Sequence, residues 1–348
     1  MTSLPNASQA PPSRSGWWVL KGTSFVPPLV LLACAGQVVP PPLLTGITEI
    51  EAGWHHTCAV TTAGDAKCWG NNHDGQLGDG TEVDRAIPVD VVGLLNKVQA
   101  ITAGERHTCA LTTAGGVKCW GNNHDDQLGD GTEIDRVTPV AVVGLTDGVK
   151  AISAGERHTC VLTTAGGVKC WGNNHDGQLG VGTEGDKKTP IDVAGLTSGV
   201  QAIAAGRRHT CALTTAGGVK CWGNNHDGQL GDGTKIDKKT PVDVMGLAGA
   251  VKAITAGWRH TCALTAAGSV KCWGKNHDGQ LGDGTAINRS SPVDVVGLPS
   301  GVRAIAAGGQ HACALNPQFV SCWGDNEDGQ LGDGTTADTL AAREEVGL

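Results

Sequence analysis

Apolar residues in this chain come in short alternating runs, never in the three-to-four spacing of a helix, and each run ends at a turn signal. In one stretch, Val149 to Ala154 reads as a strand, His158 to Thr163 as a second, and Val168 to Gly172 as a third. The polar segment Asn173-Asn174-His175-Asp176-Gly177-Gln178-Leu179-Gly180 is turn chemistry, and Pro190 to Val193 supplies a fourth strand led by its proline. The pattern recurs with a step of 51 residues. The first cysteine of each unit falls at 58, 109, 160, 211, 262 and 313, and the second at 68, 119, 170, 221, 272 and 322. Four short antiparallel strands in each of six units predict an all-β fold, a β-propeller built from residues 43–348.

The hairpin register follows from spacing. Cys160 and Cys170 lie ten apart, so a three-residue loop Thr164-Ala165-Gly166, with Gly166 left-handed, places them opposite one another. Leu162 and Val168 then share their face, while Thr159 and Trp171 take the other, toward a neighbouring blade. In the last unit the spacing is nine, and a two-residue Pro317-Gln318 turn restores the opposition of Cys313 and Cys322. Opposed non-hydrogen-bonded residues are close enough for a disulfide. The expected bridges are therefore Cys58–Cys68, Cys109–Cys119, Cys160–Cys170, Cys211–Cys221, Cys262–Cys272 and Cys313–Cys322.

Composition sharpens this picture. Gly occurs 53 times, Phe twice and Tyr not at all, which suits tight turns and leaves a core of small and aliphatic residues with ten Trp. Paired cysteines point to an extracytoplasmic, oxidising address. A net charge of −8 speaks against nucleic acid as a partner.

Residues 1–42 stand outside the repeat. They carry Arg14 and Lys21 ahead of an apolar run from Phe25 to Ala33, too short to span a bilayer. The run reads as an export leader, with an unstructured tail as the alternative. Leu31-Leu32-Ala33-Cys34 resembles a lipoprotein processing box, making Cys34 a candidate lipidation site and a lipid anchor to the membrane a candidate attachment. Val38 to Pro42 is a Pro-rich spacer.

The strings Gly206-Arg207-Arg208-His209-Thr210-Cys211, Cys221-Trp222-Gly223-Asn224 and Gly228 to Thr234 resemble the repeat of the regulator of chromosome condensation family. The resemblance covers all six units and implies a propeller, commonly of seven blades, so six and seven both remain open. Members of that family include an exchange factor for a small GTPase, a plant ultraviolet photoreceptor and a secreted inhibitor of β-lactamase. Fold alone does not choose among them. The photoreceptor reading depends on clustered Trp, and only Gly257-Trp258-Arg259-His260-Thr261 carries the full motif. Trp54 and Trp258, four repeats apart, are expected to lie too far from each other to cluster within one subunit.

The positions that vary within this repetitive frame precede the strand histidine: Trp54-His55, Glu105-Arg106, Glu156-Arg157, Arg207-Arg208, Trp258-Arg259 and Gly309-Gln310. By resemblance they lie on one rim, and large aromatic and charged groups there suit protein binding; a solvated face of salt-bridged Arg is the plainer alternative. A second set, Arg85, Arg136, Lys187, Lys238 and Arg289, follows an Asp or Asn in every case and reads as a neutralised loop.

His56, Cys58, Cys68 and His73 offer zinc-type ligands, but the cysteine step fits no zinc motif, and the strand histidine reads better as a buried hydrogen-bonding residue. Asp74 to Gly80 resembles a calcium loop without its closing Glu. No metal, cofactor or catalytic constellation is expected, since enzymes need one asymmetric site. The expected function is a non-enzymatic scaffold for a protein or surface polymer; a GTPase exchange-factor-like regulator is the alternative.

Overall fold

A computed structural model describes residues 44–95, 97–247 and 251–344. The expected leader, the spacer and Cys34 lie outside the described residues. The repeats form six four-stranded antiparallel sheets, each made of consecutive strands in sequence order, and no helix occurs among the described residues. The fold is a six-bladed β-propeller.

The third blade shows how local sequence sets the geometry. Its strands are Val149–Ala154, His158–Thr163, Val168–Gly172 and Lys187–Asp192. The first three match the sequence expectation. The outer strand begins earlier, at Lys187, so Pro190 sits within it instead of leading it. An irregularity in the pairing between Cys170 and Gly172 opens the outer ladder there, and on an edge strand a missing N–H costs little.

Cys160 pairs with Cys170, Thr159 with Trp171 and Leu162 with Val168, and Gly166 has φ of 80° in the predicted three-residue loop. All six disulfides form, each across Cα atoms 4.1 Å apart. In the sixth blade Leu315 pairs with Val320 and the Asn316 N–H donates to the Phe319 carbonyl, leaving the two-residue Pro317-Gln318 turn. One residue was deleted, and the cysteine opposition survived.

The two faces of each hairpin build the core between blades. Cys160, Leu162, Val168, Cys170, Leu179 and Leu196 of the third blade pack with Ala212 and Trp222 of the fourth. Burying one such indole removes 150–250 Å² of surface, so five fully buried Trp (120, 171, 222, 273 and 323) compensate for the scarcity of Phe and Tyr.

The loop Asn-Asn-His-Asp-Gly-Gln-Leu-Gly locks each blade to the next. In the first blade, Asn72 donates to the Thr81 and Val83 carbonyls and accepts from Leu77 N–H, while Gln76 is tied to Asn71 and Asp74. The loop thereby presents the Gln76 carbonyl to the second blade, where Trp120 Nε1 (2.9 Å) and Thr108 Oγ1 (2.8 Å) both donate to it. Equivalent Trp bonds recur at Gln127, Gln178, Gln229 and Gln280.

Candidate functional site: the channel mouth and rim

The inner strands end in Ala-Gly pairs that line an axial cavity of about 430 Å³, with Trp54, Glu156, Arg207 and Trp258 at its mouth. Small residues are required here. A Cβ on Gly155 would sit 2.2 Å from the His158 ring and 2.5 Å from the Gly206 carbonyl oxygen of the next blade.

Behind this wall stand the strand histidines. His56 Nε2 lies 2.8 Å from Thr108 Oγ1 of the next blade, and His107, His158 and His209 repeat the contact with Thr159, Thr210 and Thr261. Each of these threonines already donates its only hydroxyl hydrogen to a Gln carbonyl. The hydroxyl must therefore accept from the histidine, which fixes the Nε2–H tautomer and leaves Nδ1 as a buried lone pair with no partner among the described residues. Burial drives their pKa values down, to about 4 for His56 and His158 and about 3 for His107, His209 and His260. The expected role as buried hydrogen-bonding residues stands, and the zinc set dissolves: its cysteines are in disulfides and its loop histidine is exposed beside Asp84.

The paired positions before each histidine divide in two. The first member of each pair turns toward the axis: Glu105 and Glu156 are buried, and Trp54, Arg207 and Trp258 are half-buried. The second member, His55, Arg106, Arg157, Arg208 or Arg259, is exposed on the rim.

Ion pairs connect the two sets. Arg157 reaches Glu105 and Asp125, both at 3.2 Å; Arg208 reaches Glu156 at 2.8 Å; and Arg259 reaches Asp227 at 3.3 Å. Burial alone would raise the Glu156 carboxyl, but hydrogen bonds from Arg207 and Arg208 hold it below its ordinary value. In the sixth blade Gln310 replaces Arg and accepts a hydrogen bond from Lys275 Nζ at 2.5 Å.

One expectation is overturned. Trp54 and Trp258 pack against each other with ring centroids 4.6 Å apart and planes tilted by 36°, and the Arg207 guanidinium lies 4.9 Å from the first ring and 5.9 Å from the second. Separation along the chain misled because the propeller curves: the first and fifth blades both line one narrow axial cavity whose inner-strand ends are Ala and Gly. The result is an aromatic and cationic cluster at the mouth.

Four of the outer set, all but Lys187, are neutralised as expected, though by other partners. Arg85, Arg136 and Arg289 pair with Asp79, Asp130 and Asp283, while Asp84, which precedes Arg85, instead accepts from Asn72 N–H. In the third unit Val181 replaces that Asp, and Lys187 turns to the Gly185 carbonyl. The calcium-like loop is a turn in which Asp79 accepts from the Thr81 N–H and hydroxyl. Asp125, His175 and Asp186 bring three metal-type ligand atoms together, but Asp125 is committed to Arg157 and Asn173.

A family profile described as RCC1-like domain matches residues 31–346. The chain belongs to the RCC1-like domain family. Among curated relatives of this RCC1-like chain, the ultraviolet-B receptor UVR8 of Arabidopsis thaliana is 35% identical over 270 residues, covering 76% of the chain and 60% of the receptor. The E3 ubiquitin-protein ligase HERC2 of Homo sapiens is 32% identical over 272 residues, but the match covers only 6% of that ligase. The chain thus spans less than two thirds of these relatives. The structure of human WBSCR16 superposes with a TM-score of 0.79 at 24% identity, covering 88% of this chain and 83% of that one. Yeast RCC1 (Prp20), solved bound to Kap60, gives 0.77 at 23% identity, covering 86% and 75%. At these identities the superpositions establish the fold.

The Gln carbonyl as inter-blade acceptor was missed from sequence. Its signal was present: the Asn-Asn-x-x-x-Gln-Leu-Gly loop recurs while the rim residues change.

Proposed function

We propose that this propeller is a non-enzymatic protein-binding scaffold that engages its partner through the rim around the channel mouth, outside the cytoplasm. One observation carries the reading. In a chain whose repeats are otherwise nearly alike, chemical variety concentrates at the pairs 54-55, 105-106, 156-157, 207-208, 258-259 and 309-310, and of these Trp54, Glu156, Arg207, Trp258, Gly309 and Gln310 line one opening. Trp and Arg are the residues most enriched among energetic anchors of protein interfaces. The ion pairs leave Arg106, Arg157, Arg208 and Arg259 exposed, so a partner can recruit them without unfolding the frame. Six disulfides support an oxidising compartment.

The test is in-cell crosslinking in the native host followed by mass spectrometry, comparing the wild type with Trp258→Ala/Arg208→Glu. The reading expects partner peptides joined to the rim and a loss of at least about tenfold in crosslinked partner for the variant, the effect of one hot-spot residue. Undiminished crosslinking, or crosslinks confined to the outer loops, would contradict it.

A further inference from the structure

The loop after each third strand carries an Asp at one fixed position: 74, 125, 176, 227, 278 and 328. Five of these hold a cation. Arg106 reaches Asp74 at 3.6 Å, Arg157 reaches Asp125 at 3.2 Å, Arg208 reaches Asp176 at 3.7 Å and Arg259 reaches Asp227 at 3.3 Å, each guanidinium coming from the next blade. Where the sixth blade offers Gln310 in place of that Arg, Lys275 of the fifth blade supplies the charge and lies 3.0 Å from Asp278. Four other units have Asn at the position of Lys275.

The sixth loop is the exception. Asp328 is exposed and has no ion pair among the described residues. Asp325, at the position of Lys275, adds a second carboxylate, which accepts from Gln310 Nε2 at 3.2 Å and from the Glu327 N–H at 3.1 Å. Both carboxylates line the axial cavity of about 430 Å³, together with Trp54 and Trp258. Glu156 and Arg207, also in that lining, neutralise each other through hydrogen bonds of 3.0 and 3.3 Å. Trp258 lies against the sixth blade because Gly309 has no side chain: a Cβ there would sit 2.8 Å from the indole Cε2. The cavity thus joins two indoles to two carboxylates whose charge no described residue offsets through an ion pair.

We propose that this cavity is a guanidinium pocket, taking an arginine side chain of the protein partner between Asp325 and Asp328 and the Trp54–Trp258 pair. It rests on the rim reading above and adds the chemistry of the residue recognised there. The molecule itself supplies templates for both halves of the contact. Arg207 lies 4.9 Å from the Trp54 ring and 5.9 Å from the Trp258 ring, and four Arg side chains fill the positions equivalent to Asp328. A planar cation with forked N–H donors serves carboxylates and aromatic faces together, whereas an ammonium is a more strongly hydrated point charge. The charge pattern also orients the partner. Blades two to five expose Arg106, Arg157, Arg208 and Arg259, and the sixth presents Asp325, Glu327 and Asp328, so the partner turns its basic group to the sixth blade.

The test is titration of the full chain with the peptide acetyl-Gly-Arg-Gly-amide and its citrulline, lysine and glutamate counterparts, followed through the tryptophan indole N–H resonances. Asp325→Asn/Asp328→Asn removes the pocket charge with little change in size. Asp243→Asn/Asp294→Asn makes the same change in net charge at exposed acids outside the cavity lining. The arginine peptide is expected to bind at least about tenfold more tightly than each of the other three, the scale of one hydrogen-bonded charge. That preference disappears in Asp325→Asn/Asp328→Asn and persists in the control. Absence of binding, equal affinity for citrulline or lysine, a preference that survives the pocket variant, or one lost equally in the control would each overturn the pocket. Rim crosslinks that persist in the native host alongside such a result would leave the binding face standing and remove the pocket alone.

Discussion

The histidine is the residue that best shows how this fold uses one chemical group six times. In four units its Nε2–H reaches a threonine of the next blade whose own hydrogen is already given away, and its buried Nδ1 meets no acceptor among the described residues, so a proton there would be unpaired and the neutral imidazole is favoured. The sixth unit confirms this logic by exception: Ala312 stands where a threonine would be, and His260 Nε2 is left without a partner among the described residues. Buried neutral histidines bind fewer protons folded than unfolded between their depressed pKa values, about 3–4, and the unfolded value near 6.5. Stability is therefore full above about pH 6.5 and declines as pH falls toward 4, by about 1.4 kcal/mol per histidine per pH unit at most. Thermal midpoints should hold from pH 7.5 to about 6.5 and fall steadily from there to pH 5, and His107→Gln should flatten the slope. A midpoint indifferent to pH over that range would contradict the buried neutral array.

At the scale of the element, the hairpin was almost fully legible. Cysteine spacing, turn glycines and strand alternation all gave the same register, and the compensated deletion in the sixth unit supported it. The outer strand was less so, because its edge position tolerates Pro190 inside the strand and weakens the turn signal. The loop after the third strand also carries a local conflict. Asp126 occupies the position of Gly75 and Gly177 at φ of 63°, the only non-glycine with positive φ among the described residues, and its Oδ1 is buried without a partner there. Left-handed backbone costs a non-glycine residue about 1–2 kcal/mol, less for Asp. Asp126→Gly should thus raise stability by about 1 kcal/mol in chemical denaturation; an unchanged or lower midpoint would show that the side chain makes a contact that offsets the strain.

On the scale of the whole molecule, the repeat count and blade architecture followed from the 51-residue period, but curvature did not. Linear separation placed Trp54 and Trp258 apart, and only the closed geometry of the channel brings them to 4.6 Å around Arg207. Each staple closes a short loop within one blade and adds roughly 2–3 kcal/mol in the chain-entropy picture. Five of the six, all but Cys313–Cys322, sit in the cores that join one blade to the next, where Trp is the main large aromatic. The oxidised state is thus the premise shared by the core, the compartment and the binding rim. Titration of free thiols in the denatured, unreduced protein isolated from its native host tests that premise most directly. Cys34 alone, or no thiol at all, is the predicted count; close to the full 13 would contradict the stapled propeller and its extracytoplasmic address.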